Sequence, residues 1–119
     1  MPARSTASAI PANKQIISAL GAALLQLASA QAGAADPQAG RAKAAACAVC
    51  HGQSGLSALP NAPHLAGQPA LYIEEQLRNY RSGKRRHEVM SVVAKPLSDA
   101  EIADLAAWYA SIRIEAMPP

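Results

Sequence analysis

The 119-residue sequence has no phenylalanine, and its aromatic residues are limited to Trp108 and three tyrosines. So few aromatic faces leave little for stacking on nucleotide bases. No stretch alternates apolar and polar positions with β-branched residues for long enough to make a strand, and no internal repeat is present. The chain is also too short for a barrel of parallel strands or a doubly wound sheet. These absences predict one small all-α domain. Charge excludes little more: eleven Lys and Arg stand against eight Asp and Glu, a formal +3. Two of the basic residues, Arg4 and Lys14, lie near the N-terminus, and from Ala35 onward nine face eight, close to neutrality. A nearly neutral mature chain with few aromatics is a poor nucleic-acid binder.

Residues 1–34 read as a secretory signal, and residues 35–119 as the mature domain. Arg4 and Lys14 form the positive start, Ile16 to Ala30 form an uncharged apolar stretch, and small residues follow at once. Ala32-Gly33-Ala34 before Ala35 is the favoured cleavage site, with Ala28-Ser29-Ala30 as its competitor. The apolar stretch falls short of the roughly 20 residues that span a bilayer core, and no second candidate for a membrane span exists. Export to the periplasm, with no stable membrane span after cleavage, is the expectation. A mature chain of this size buries too little of its surface to be comfortably stable alone. Exported small domains are commonly stapled by disulfides, a metal or a cofactor, which directs attention to the only two cysteines.

Along the mature chain, Gln38 to Ala48 is alanine-rich and predicts a helix leading into Cys47, interrupted by Gly40. A glycine there weakens the helix, which suggests that another backbone approaches it. Glycines and prolines at 52, 55, 60, 63 and 67 predict a long wrapping loop, a length unusual in a compact domain unless the loop packs on something other than a helix or sheet. Pro69 is placed at the first position of a helix running to about Arg81, with Ile73, Leu77 and Tyr80 on one face and Gly83 as its stop. A short helix is expected over 88–94. The last helix has the plainest start: Ser98 and Glu101 make a capping box, with Leu97 and Ile102 as a hydrophobic staple. Its core stripe is Ile102, Leu105, Ala106, Tyr109 and Ile112, with Trp108 at the edge.

Cys47-Ala48-Val49-Cys50-His51 is a C-x-x-C-H sequence. Two thiols three residues apart can each reach one vinyl group of a porphyrin, and a histidine directly after the second can supply an imidazole nitrogen to the iron. Covalent attachment of haem is the favoured reading. A disulfide oxidoreductase would need a βαβ setting that the sequence does not offer. Zinc would need four ligands, on paper Cys47, Cys50, His51 and one of His64 or His87, and neither of these two histidines has a paired spacing.

The mature chain resembles a class I c-type cytochrome, of the kind of the small periplasmic bacterial monohaem proteins and of single halves of their dihaem relatives. The resemblance covers nearly all of residues 38–114. It is carried by Gly40-Arg41-Ala42-Lys43 before the Cys47 to Gly52 motif, Pro63-His64-Leu65-Ala66-Gly67-Gln68, Gln76 to Gly83, and Leu97 to Ile102 running into Leu105 to Ser111. It implies helices wrapped around one covalently bound haem c per chain, with the N- and C-terminal helices crossing. Gly40 would be the close-contact point of that crossing, against an aromatic of the last helix. His51 would be the proximal iron ligand and Pro63 the residue whose carbonyl accepts its other ring N–H, which fixes the ring.

The sixth ligand is expected from a methionine thioether, which raises the haem potential in this class. Met117 lies near the end of the chain, whereas Met90 follows the basic turn and precedes Leu97-Ser98-Asp99, as the ligand does in the family. Met90 is the choice, with His87 as the runner-up and His64 read as exposed. Arg78, Arg81, Lys84, Arg85 and Arg86 form a basic cluster, open to three readings: a solvated face, a propionate contact, or a docking patch for an acidic partner. The implied function is one-electron transport in a respiratory chain, without turnover of a substrate. Its partners would be redox proteins: membrane or periplasmic oxidoreductases or a terminal oxidase. The alternative is a haem-bearing subunit of a larger oxidoreductase. The lack of phenylalanine departs from aromatic-rich relatives and leaves Leu, Ile, Val, Tyr and Trp to line the haem pocket.

Overall fold

A computed structural model of the chain describes residues 33–119. The secretory segment inferred over 1–34 lies outside the described residues except for Gly33 and Ala34. Within them every regular element is helical: α1 (Pro37–Lys43), a 3-10 turn (Ala44–Ala46), α2 (Ala48–His51), α3 (Ala70–Ser82), α4 (Met90–Val93) and α5 (Asp99–Ser111). α1 and α3 both pack on α5.

The first helix differs from its expected extent. It starts at Pro37, because Asp36 in extended backbone accepts the Gln38 N–H at 2.8 Å and proline suits the first helical position. It ends at Lys43 instead of continuing to Ala48. The chain tightens into i→i+3 bonding, with the Cys47 N–H donating to the Ala44 carbonyl at 2.9 Å. That change of pitch buries Ala44 in the core and begins α2, which has Cys47 as its N-cap and contains Cys50 and His51.

Gly40 is buried where α1 crosses α5. A Cβ at this position would lie 1.9 Å from the Asp104 carbonyl oxygen and 3.0 Å from the Leu105 nitrogen. The atoms nearest to that position belong to the backbone of α5, so the helices meet main chain to main chain. Polar contacts frame the crossing. The Asp36 N–H donates to Asp104 Oδ1 at 2.7 Å, and Lys43 pairs with Glu101.

α5 starts as expected. Ser98 Oγ accepts the Glu101 N–H at 3.1 Å, and Glu101 Oε2 accepts the Ser98 N–H at 2.9 Å. Lys43, and then the Ser98 amide, hold the Glu101 carboxyl below its usual range. Ile102, Leu105, Ala106 and Tyr109 are buried, whereas Ile112 lies just beyond the helix in extended backbone, half-buried against the core. α3 begins one residue later than expected, with Pro69 as N-cap, and stops at Gly83, whose φ of 82° is a left-handed C-cap. α4 is a single turn, shorter than the 88–94 expected, and no regular element forms over 52–69.

The core made by protein alone is thin. Its buried apolar residues are Ala44, Ala66, Ile73, Ala94, Ile102, Leu105, Ala106 and Tyr109, four of them alanine. Among the described residues ten large apolar side chains stay exposed, including Val49, Leu56, Leu59, Val89 and Val93.

Candidate functional site

Cys47, Cys50 and His51 share one helical turn. The His51 N–H donates to the Cys47 carbonyl at 2.9 Å and the Cys50 N–H to the same oxygen at 3.2 Å. Three-residue spacing on a helix sets two side chains on one face, so both sulfurs serve one target. Both cysteines are free and half-buried. Burial pushes the Cys47 thiol above its usual pKa, offset in part by the Tyr109 hydroxyl, while burial likewise raises the Tyr109 phenol. Catalytic thiols of disulfide exchange need the opposite shift. The lack of any strand among the described residues and a raised thiol both count against the oxidoreductase reading.

His51 is the one buried polar side chain among the described residues, at 7% exposure. Its Nδ1 lies 2.8 Å from the Pro63 carbonyl oxygen. A carbonyl can only accept, so the proton sits on Nδ1 and the lone pair on Nε2. Among the described residues no protein group bonds Nε2. A buried imidazole with its tautomer set by a backbone carbonyl and its other nitrogen unclaimed is the arrangement of a metal-ligating histidine. The Pro63 contact expected for this ring is therefore present.

The wrapping loop is clipped to the motif partly by Ser57, which the sequence did not single out. Ser57 Oγ donates to the Cys50 carbonyl at 2.8 Å, and the Ser57 N–H donates to His64 Nδ1 at 2.8 Å. The Gly55 carbonyl accepts the N–H groups of Leu65 and Ala66, and the Gly67 N–H donates to the Tyr109 carbonyl at 2.9 Å. His64 is exposed, as expected, yet it works as a strut holding Ser57 rather than standing idle. Side chain-to-backbone bonds of this kind depend on where a loop closes, and residue type alone announces only that they are possible.

Met90 opens α4 and is half-buried. Arg81 anchors the segment that follows: its Nη1 donates to the Leu97 carbonyl at 2.8 Å and its Nη2 meets Asp99, whose carboxyl this guanidinium holds below its usual range. Most of the basic cluster is occupied in this way. Arg78 pairs with Glu74 at 2.9 Å, and Arg85 bonds Gln76 at 2.7 Å and lies over the Tyr80 ring. Among the described residues, only the Lys84 and Arg86 side chains of that cluster make no such contact. The cluster is thus mainly a solvated, internally paired face.

A zinc site is not assembled, because no three His, Cys, Asp or Glu side chains of the described residues come together as a possible metal cluster. Haem chemistry fits what is there. One nitrogen donor, two reduced sulfurs on its own turn, a thioether on a separate segment, and large apolar side chains that the protein core leaves uncovered are what an apolar iron porphyrin requires.

Comparison with known proteins agrees. Residues 37–113 match the cytochrome c family. The chain is 46% identical over 78 residues to cytochrome c4 of Pseudomonas aeruginosa, covering 66% of this chain and 39% of that protein. It is 42% identical over 81 residues to cytochrome c-554(548) of Halomonas halodenitrificans, covering 66% of this chain and 98% of that one. The crystal structure of reduced cytochrome c4 from Pseudomonas stutzeri superimposes with a TM-score of 0.64 at 37% identity, over 67% of this chain and 47% of that one. The chain thus spans less than half of the cytochrome c4 proteins it matches and nearly all of the c-554 protein. It belongs to the cytochrome c family, as a small bacterial class I c-type cytochrome whose cofactor is covalently bound haem c.

Proposed function

We propose that the chain is a periplasmic one-electron carrier of a respiratory chain, exported by residues 1–34 and working through residues 35–119, with no substrate turned over. In this reading Cys47 and Cys50 hold the haem as thioethers, and His51 and Met90 are the axial ligands. The observation that carries it is the buried His51 with Nδ1 given to Pro63 and Nε2 left to a metal. When bound, the haem supplies the Fe(III)/Fe(II) couple; the protein supplies position and surroundings.

Each residue has a definable task. Pro63 keeps the imidazole in one tautomer and one orientation, which raises its donor strength. The three-residue cysteine spacing fixes the group to the turn that also carries His51, so attachment and ligation share one rigid element. Ser57 and His64 hold the loop bearing Pro63 against that turn. Met90 lies on a different element, α4, and would supply a soft sulfur donor from there. A pair of ligands retained in both oxidation states lets an electron pass with little rearrangement. Redox proteins are the partners of such a carrier. A haem subunit of a larger oxidoreductase differs from it in forming a complex that survives high salt, whereas a shuttle binds weakly and loses its partner as salt rises.

The test replaces Cys47 and Cys50 together by serine in a host that attaches haem to exported proteins. The double variant is expected to show no haem stain on a denaturing gel while the unaltered chain stains. A stained double variant would remove both cysteines from the site.

A further inference from the structure

The segment that carries Met90 is poorly buried. Between residues 84 and 98 only Ala94 is buried, and Val89, Val92 and Val93 are exposed. Apolar packing within the protein does little to fix the position of the methionine. α4 also lacks the usual cap, because Val89 at the N-cap position has no side-chain oxygen with which to receive the first amides.

His87 supplies that function. Its Nδ1 receives the N–H groups of Val89 at 3.2 Å and of Met90 at 3.3 Å. In return the His87 N–H donates to Ser91 Oγ at 3.0 Å, and the Ser91 N–H donates to the His87 carbonyl at 2.9 Å. Four hydrogen bonds therefore close around the turn that begins with Met90. The ring is braced from behind by Tyr80, edge to face at 6.5 Å between centroids. Tyr80 in turn carries the Arg85 guanidinium at 4.7 Å, and Arg85 is bonded to Gln76 of α3. A line of contacts thus runs from α3 through Arg85, Tyr80 and His87 to the amide of Met90.

We propose that His87 is the positioning residue of the Met90 turn, acting through Nδ1 as a hydrogen-bond acceptor, and is not itself an iron ligand. An Nδ1 that accepts amide protons leaves the ring proton on Nε2, and a protonated nitrogen has no lone pair for iron. The two roles exclude each other in this geometry. The proposal rests on the reading of Met90 as the axial ligand.

The experiment compares four holoproteins: unaltered, His87→Leu, His87→Asn and Met90→Ala. Asparagine Oδ1 sits the same number of bonds from the backbone as Nδ1 and can accept both amides; leucine cannot. The readouts are the far-red sulfur-to-iron band of the oxidised form and the affinity of the ferric iron for added imidazole, which competes with the sulfur. His87→Leu is expected to bind imidazole about tenfold more tightly, the equilibrium effect of losing the acceptor, and to lose its far-red band at a lower temperature. His87→Asn is expected to restore both. Leucine and unaltered proteins that behave alike, with Met90→Ala lacking the band, would overturn the positioning role and leave Met90 as ligand. Equal disturbance by leucine and asparagine would overturn the acceptor role in favour of the ring itself. A Met90→Ala protein identical to the unaltered one would instead overturn the ligand assignment on which the proposal stands.

Discussion

Met90→Ala is expected to keep the haem attached, lower its reduction potential on the order of 0.1 V or more within the roughly 0.8 V that axial ligation spans, and open one coordination position. The reasoning follows from the division of labour between segments. Cys50 and His51 lie on α2 and Cys47 is its N-cap, and nothing in that turn depends on Met90. A thioether sulfur donates less electron density than a nitrogen ligand, so it stabilises the ferric state less, favours the ferrous state and raises the potential. Alanine removes the donor, and water or an added ligand takes the place. Voltammetry with an azide or imidazole titration checks this. An unchanged potential together with no binding of external ligands would remove Met90 from the iron, and Met117 or His87 would have to be considered.

The second large effect concerns the scaffold. Gly40→Ala is expected to destabilise the holoprotein by about 3 kcal/mol or more, at or beyond the usual range for overpacking a well-filled site. The added Cβ would meet main-chain atoms of Asp104, the nearest at 1.9 Å. Backbone cannot step aside as a flexible side chain can, so α1 must move off α5, and the core that rests on their crossing loosens with it. A small domain has little stability to lose. Gly83→Ala is the comparison. No atom lies within 4 Å of its added Cβ, and only the φ of 82° resists substitution, so a smaller cost of about 1 to 2 kcal/mol is expected. Denaturant unfolding of both variants measures the difference, and a Gly40→Ala midpoint equal to the unaltered protein would show that the helices do not cross at this residue.

How far the sequence discloses this molecule depends on the range of each interaction. The capping box of Ser98 and Glu101 is a contact across three residues, and its residue types name it before any coordinates exist. The C-x-x-C-H turn is legible for the same reason. The break of the first helix into α1, a 3-10 turn and α2 was not, because alanine favours helix at every position and the change of pitch answers to the burial of Ala44 against distant residues. The helix begins one residue earlier than the alanine-rich run, at Pro37 behind the Asp36 cap. Gly40 was legible as a close approach, whereas its nearest neighbour, the Asp104 carbonyl oxygen, was not, since a glycine announces only that a Cβ has no room.

The supporting residues were the least legible. Ser57, His64 and His87 all act by accepting or donating to main-chain groups, and their partners are set by the path of irregular segments. His87 illustrates the difficulty well. A histidine beside a candidate iron ligand reads naturally as a second candidate ligand, and only the direction of its hydrogen bonds distinguishes an acceptor from a donor to metal. The basic cluster shows the converse: five positive residues within nine positions suggest a docking patch until Glu74, Asp99, Gln76 and Tyr80 are seen to occupy three of them.

The central claim, a haem held covalently through Cys47 and Cys50 with iron between His51 and Met90, is tested most directly by the optical spectrum of the exported protein, oxidised and then reduced, alongside a haem stain of the denaturing gel. The account predicts a stained band, sharp low-spin peaks on reduction and a weak far-red sulfur-to-iron band on oxidation. A colourless protein with two reactive thiols would contradict it.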